Sequence, residues 1–418
     1  MIMDRTVLVY VDLGGQPHLV GRLWSRIRKG REGATFEYDQ SWLDNPEHFA
    51  LEPALTLAPG PFHTHADKAL FGTIGDSAPD RWGRALMRRA ERRRAQKANT
   101  VPRTLSEMDY LLMVNDEARQ GALRFAEEAG GPFLADHTAQ PIPPLVRLAE
   151  LLAITERVID EEDTEEDLLM LLAPGSSLGG ARPKASVRDN HGRLAIAKFP
   201  HKNDETNAVL WEATALGLAA KADIPVPRWW VENVAGRPVL LVERFDRQGA
   251  ERIPFLSAMS LLGAKDNETR SYLEIADTLR QWGAATPQDM SQLWRRIVFN
   301  VLISNTDDHL RNHGLLYTGA QGWRLSPAYD LNPTPVDVKP RVLSTAIDEE
   351  DATASLELAL GVAPQFGLSA QQAKDIAREV GRAVLGWREE AAQHGLTRRE
   401  IDRMASAFEH DDLKLAVK

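Results

Sequence analysis

The chain has 418 residues, a formal net charge of −10 and no cysteine. That length allows two or three domains and a large core. The missing cysteines exclude a disulfide framework and thiolate chemistry, and the acidic balance argues against nucleic-acid binding by the chain as a whole, though not by a local basic patch.

From the N-terminus, residues 1–40 read as an antiparallel meander. VLVYV (7–11) runs into the turn Leu13-Gly14-Gly15, HLVGRLW (18–24) alternates apolar and polar, and ATFEY (34–38) follows a polar turn. The opening MIMDRTVLVY has no signal-peptide pattern and no apolar run reaches 18 residues, so the expected compartment is the cytoplasm, with no membrane partner. Residues 51–79 are rich in Pro and Gly and read as loop. Ser77 is placed to cap a helix with Pro79 in its first turn. That helix carries Arg81, Arg84, Arg88, Arg89, Arg92, Arg93, Arg94 and Lys97. Such a face fits an acidic partner or nucleic acid, or is a solvated helix face. A helical segment at 106–118 ends this module. A Pro-rich connector (140–144) leads to a helix at 145–159, and the acidic run 161–167 reads as a helix start capped by Thr164.

Next comes APGSSLGGARPKASV, a flexible loop with Gly175, Gly179 and Gly180, and Lys184 just beyond. Glycines let backbone N–H groups approach phosphate oxygens without a Cβ in the way; a plain hairpin loop has the same composition. SVRDNHGRLAIAKF then reads as strand, turn (189–192) and strand (194–199). Lys198 lies on the side of Leu194 and Ile196, where an inward lysine needs a phosphate or carboxylate. The helix 205–221 supplies Glu212 among apolar neighbours. A strand lysine paired with a helix glutamate is the ion pair with which kinases fix nucleotide phosphates. Strands at 227–233 and 238–245 follow, and VERFDR reads as a hinge into a helical region. There the backbone of Glu243 to Phe245 has groups to offer an adenine edge, or is an ordinary strand end.

The rest is mostly helical: 272–282, the largely apolar 291–303, and later 370–389 and 397–409. The helix 291–303 delivers ISNTDDHLRNHG. Asp307 and Asn312 are five residues apart, and Asp330 follows strands at 315–317 and 323–325. Protein kinases use that order: a base Asp, an Asn five residues on, then a metal-binding Asp. Phosphoryl transfer needs one carboxylate to orient a hydroxyl and two oxygen ligands to hold Mg²⁺ on the phosphates. Turn-forming Asp and Asn give the same local pattern without chemistry.

Taken together, SSLGGARPKA, AIAKFP, LLVERFDR, ISNTDDHLRNHG and SPAYDLNPTP resemble the HipA family, bacterial serine/threonine-protein kinases that are the toxins of HipBA-type toxin–antitoxin systems. The match is densest over residues 174–335, and the N-terminal meander with GDSAPDRWGRALMRR resembles the family's N-terminal subdomain. The resemblance implies an α+β, two-lobed protein-kinase-like fold: a β-rich N-terminal lobe with an added antiparallel subdomain, and an all-helical C-terminal lobe. The implied domains are 1–120, 145–246 with the Gly-rich loop and hinge, and 247–418 with the catalytic and metal loops. It implies ATP and Mg²⁺ as cofactors. Asp307 would be the base, and Asn312 and Asp330 the metal ligands. Lys198, paired with Glu212, would hold ATP phosphates, and Gly180, Ala181 and Lys184 would belong to the phosphate-covering loop. Glu243 and Phe245 would flank adenine, and His309 and Tyr329 would line the nucleotide site. Ser177, or Ser176 beside it, stands where the family autophosphorylates. Asp308 replaces a glycine often found after the base.

Implied partners are a HipB-like helix-turn-helix antitoxin, operator DNA mainly through that antitoxin, and a protein substrate such as an aminoacyl-tRNA synthetase. Three rivals stand beside this reading. An aminoglycoside-type phosphotransferase also uses Asp followed five residues on by Asn. A pseudokinase corepressor would bind without turnover, and a DNA-binding protein would use the arginine helix.

Overall fold

The computed structural model describes residues 5–136, 142–172 and 180–418. Two compact units emerge, one of residues 1–202, 234–237 and 241–256, the other of 203–233, 238–240 and 257–418.

The first unit is built on an antiparallel sheet. Its strands are β1 (Arg5–Leu13), β2 (Gln16–Arg28), β3 (Arg31–Tyr38), β4 (Pro61–His63) and β5 (Leu123–Ala126), in the order β4-β3-β2-β1-β5. Period-two alternation drives Val7, Val9 and Val11 wholly out of solvent, while Leu8 and Tyr10 stay on the other face. β1 and β2 meet at Leu13↔Gln16, with Gly14 at φ +57° and Gly15 at φ +77°; this is the two-residue turn that suits the right-handed strand twist. The expected meander is present. Two strands were not expected: β4 falls inside the segment read as loop, and β5 pairs with β1 from the far end of the module.

The arginine-rich helix spans Arg81–Lys97, and its cap is Asp80, whose side chain accepts from Gly83 N at 2.7 Å. Ser77 instead closes the short helix Gly72–Asp76 before it. Pro79 lies just before the Asp80 cap, outside the helix, where its missing N–H leaves no helical bond unmade. Ser106 caps the helix Glu107–Met113 through a capping box. The expected helix at 145–159 appears as a 3₁₀ turn followed by Leu148–Asp160. Thr164 and Asp167 make the reciprocal bonds that start Glu165–Leu172. Hairpin β6 (Lys184–Arg188) and β7 (Leu194–Lys198) pairs in register, with Asp189 Oδ1 accepting from the turn amides of His191 and Arg193.

In the second unit, the helix Ala208–Lys221 is buried over Val209 to Ala219, and its Trp211 packs against Trp387 and Phe408. The helix Tyr272–Trp282 is capped by Ser271, and the helix Thr286–Leu302 starts on Pro287 and is buried along its second half. The hairpin Gly314–Tyr317 with Trp323–Leu325 stands where strands were expected, within the otherwise helical region. The segment read as one helix at 370–389 breaks at Gly386 into Ala370–Leu385 and Trp387–Gln393. Thr397 caps Arg398–Phe408. Among the described residues, no helix is long and apolar enough to cross a membrane.

Candidate active site

In the second unit, the largely buried helix Thr286–Leu302 ends at Ile303, and Ser304 turns the chain at φ +51°. The loop that follows is short and fully engaged. His309 N donates to Asp307 O at 2.9 Å, Asn312 N to His309 O at 2.8 Å, and Asn312 Nδ2 to Asp307 O at 3.3 Å. Asp307 is the exposed member of a buried neighbourhood, with Thr306, Asp308 and Asn312 all withdrawn from solvent. A carboxylate held on a rigid loop and open to solvent is what a base for an external hydroxyl needs.

The segment from Tyr329 to Thr334 is laced onto this loop. Tyr329 Oη donates to Arg311 O at 2.7 Å, Asn332 N to Asn305 Oδ1 at 3.3 Å, and Thr334 N to Ser304 O at 3.2 Å. Asp330 sits at φ +60°, a left-handed conformation costly for a non-glycine residue, and Asn332 Nδ2 donates to its carbonyl at 3.1 Å. The two stretches that carry Asp307, His309, Asn312, Tyr329 and Asp330 therefore meet in space, although a hairpin separates them in sequence.

The donor chemistry fits a hard cation. With Nδ2 turned to Asp307 O, Asn312 has Oδ1 to offer a cation, and Asp330 could add a carboxylate oxygen. Among the described residues, no group of three or more His, Cys, Asp or Glu could hold a metal by itself. An amide oxygen and one carboxylate suit Mg²⁺, which commonly completes its shell with substrate phosphates and water.

Beneath the loop lies a polar layer that the sequence did not disclose. Asp308 is 2 % exposed, and its Oδ2 accepts from Tyr272 Oη and, at 2.7 Å, from His313 Nε2. Burial alone would push the Asp308 carboxyl up; the His313 imidazole and the Tyr272 hydroxyl overcome it and hold the group below the usual carboxylate range. Burial, then the Asp308 charge, push the Tyr272 hydroxyl well above its ordinary value. A small cavity bordered by Arg296, Asn300, Asp308, Asn312, His313 and Tyr329 has room for about one water. Burial lowers Arg296 to about 10, against the pull of Asp308. The only advance signal was Asp308 itself, a charge where a glycine is common.

The first unit places the other candidates. Gly180 has φ +89°, and a Cβ there would come within 3.0 Å of Lys184 Nζ, so a glycine suits the position on both counts. Ala181 is exposed. Lys184, expected beside an open loop, is 4 % exposed and pairs with Asp80 Oδ2 at 3.1 Å. Trp82 closes over it, donating Nε1–H to Lys184 O at 3.0 Å. Lys184 and Lys198 are register partners in the hairpin. The deepest face of β7 is Ala195, Ala197 and Phe199; Lys198 shares the half-open face with Ile196. Glu243 lies 3.3 Å from Arg193, and Phe245 packs at 6.3 Å from Phe255. Glu212, in the second unit, is buried on its helix. Ser176 and Ser177 lie outside the described residues.

Sequence reasoning also missed a buried ionic knot beside Glu243 and Phe245. Asp246 accepts from Arg244, from Arg247 at 2.8 Å and from Gly121 N at 2.7 Å. Burial opposes its charge, but the two arginines keep its carboxyl well below the ordinary range. Arg252 and Arg124 both grip Asp116.

Comparison with known proteins agrees with this architecture. The sequence model of the HipA-like C-terminal domain matches residues 176–387, and that of the HipA N-terminal domain matches residues 11–125. The chain is similar to "Putative kinase Y4mE" of Sinorhizobium fredii, 26% identical over 345 residues that cover 75% of this chain and 76% of that one. A Haemophilus influenzae protein named "Putative kinase" is 24% identical over 228 residues, 46% of this chain and 63% of that one. Among solved structures, the HipA chain of a Shewanella oneidensis toxin–antitoxin complex of HipA, HipB and operator DNA superposes with a TM-score of 0.67. It covers 98% of this chain and 96% of that chain at 16% identity, a likeness of fold.

Proposed function

The chain belongs to the HipA family, and from that premise we propose that it is an ATP-dependent serine/threonine-protein kinase, the toxin of a toxin–antitoxin pair in the cytoplasm. The observation that carries the proposal is the catalytic loop: an exposed Asp307 on rigid backbone, with Asn312 and Asp330 held on segments hydrogen-bonded to one another.

Asp307 Oδ accepts a hydrogen bond from an incoming protein hydroxyl, orients it and takes its proton as the oxygen adds to the γ-phosphorus and the bond from that phosphorus to the β,γ-bridging oxygen breaks, releasing ADP. Asn312 Oδ1 and the Asp330 carboxylate hold Mg²⁺, which neutralises phosphate charge when bound. Lys198 and the backbone at Gly180–Ala181 take the ATP phosphates, while Lys184, expected to share that role, is held in its buried pair with Asp80. Glu243 and Phe245 flank the adenine, and His309 and Tyr329 line the nucleotide. Ser177, or Ser176, is the autophosphorylated residue; a phosphate there adds nearly two negative charges beside the nucleotide phosphates and repels them.

On the family premise, a translation component such as an aminoacyl-tRNA synthetase is the class of protein substrate. The HipB and operator DNA of the Shewanella complex support a helix-turn-helix antitoxin as partner here. The test is phosphate transfer from labelled MgATP to cell protein and to aminoglycosides, each offered separately. Labelled protein with Asp307-dependent incorporation supports the reading; transfer to aminoglycoside alone, or none to either, overturns it.

A further inference from the structure

The catalytic and metal-binding stretches are joined underneath by one continuous chain of side-chain hydrogen bonds. It begins at His313, next to Asn312, whose Nε2 meets Asp308 Oδ2 at 2.7 Å. The same oxygen accepts from Tyr272 Oη. Asn300 Nδ2 donates to Tyr272 Oη at 3.4 Å, and Asn305 Nδ2 donates to Asn300 Oδ1 at 3.0 Å. Asn305 Oδ1 accepts from Asn332 N at 3.3 Å, and Asn332 Nδ2 ends the chain on Asp330 O at 3.1 Å. Thr345 Oγ1 pins the Asp308 carbonyl at 2.7 Å.

We infer that Asp308, Tyr272, Asn300 and Asn305 are positioning residues that set the base Asp307 and the metal ligands Asn312 and Asp330 relative to one another. None of them is part of the reacting set. Asp308 flanks the base on one side and holds His313, the residue next to Asn312, on the other. Asn305 and Asn332 carry the constraint to the strained Asp330 carbonyl. Tyr272 is wholly buried, as are Asn300 at 1% and Asn305 at 0% exposure, so water does not compete for these bonds and each link constrains the next. The aspartate is a better central acceptor than a neutral group, because an ionised oxygen takes two strong donors at once. Buried Arg296, whose Nε and Nη1 have no partner among the described residues and which borders the same cavity, supplies the balancing charge.

The inference rests on the kinase reading for its consequence, and its test is arranged so that the two fail separately. Wild type, Asp308→Asn, Asp308→Ala and Tyr272→Phe are compared as full chains, well below their melting temperatures. The measurements are kcat, KM for MgATP, half-saturating free Mg²⁺, and hydrogen exchange of the amides at 307–312. Displacing a reacting group by about 1 Å can cost about 10²-fold in rate. Asp308→Ala should therefore lose about that in kcat and raise the Mg²⁺ requirement. Tyr272→Phe, which removes one oxygen and should keep the fold, should show the same change to a smaller degree. Asp308→Asn keeps the shape but not the ionised acceptor and should fall between wild type and Asp308→Ala. In both disruptive variants the 307–312 amides should exchange faster, while β1 and β2 amides stay as in wild type. If wild type transfers no phosphate, the proposed function falls, and loop exchange alone then judges the positioning role. Equal loop exchange in wild type and Tyr272→Phe overturns the inference whatever the activity, as does wild-type kcat and Mg²⁺ dependence in a folded Asp308→Ala.

Discussion

Single side chains carry this account because so few of them are open to water where the chemistry is placed. On the proposed reading Asp330 is the carboxylate that would hold Mg²⁺ on the phosphates, so its loss removes the metal's charge from them. Asp330→Asn should weaken nucleotide binding in the presence of Mg²⁺ and cut transfer by about 10²-fold or more, the size of several kcal/mol. Calorimetry with MgATP and with metal-free ATP checks this, since only the first should change. Away from the site, Glu52 offers a pH test. Burial pushes its carboxyl up to about 7, against hydrogen bonds from Thr73 N and Gly72 N. A carboxyl that is harder to ionise when folded binds its proton more tightly in the native state. Stability should then fall as pH rises from about 4.5 to about 7 and level off above it, by about 3 kcal/mol in all. Glu52→Gln should flatten that part of the profile and melt higher than wild type at pH 8; an unchanged profile would remove Glu52 as its source.

At the scale of elements, local chemistry and long-range chemistry differ in how far the sequence discloses them. The β6–β7 hairpin was legible because alternation and the Asp189–Gly192 turn sit within one short window. The order of Asp307, Asn312 and Asp330 was legible for the same reason. Strand β5 was not: it is a short run, and only its pairing with β1, over a hundred residues earlier, makes it a strand. The Arg244–Asp246–Gly121 knot and the bond from Tyr272 to Asp308 were hidden likewise, since their partners lie far apart along the chain. Asp80 shows both scales in one residue. It caps the helix Arg81–Lys97 and pairs with the buried Lys184. Asp80→Ala should cost about 3–5 kcal/mol, more than the roughly 1 kcal/mol of a lost cap, because it strips the carboxylate from a buried ammonium. Adding Lys184→Met should restore part of that loss. Additive losses in denaturant melts of the two single variants and the double variant would show that the pair is not coupled.

For the molecule as a whole, charge is spent inside the fold. The arginine-rich helix is held by carboxylates of its own unit: Arg84 by Glu107, Arg89 and Arg93 by Asp163, Arg94 by Glu91 and Lys97 by Glu165. With a net charge of −10 around it, that face reads better as structural than as a DNA contact. Operator DNA should therefore be retained by the chain together with the proposed antitoxin and only weakly by the chain alone. Gel shifts at physiological salt check this, and tight, salt-sensitive binding by the chain alone would restore the arginine helix as a DNA surface. On the proposed reading this molecule transfers phosphate through Asp307. The most direct measurement is transfer of labelled phosphate from MgATP to protein by wild type and by Asp307→Asn, with ATP affinity measured on the same samples. Wild type should incorporate label and Asp307→Asn none, with nearly equal affinities, because the base acts on the acceptor and not on the nucleotide. Wild-type incorporation by Asp307→Asn would contradict that reading.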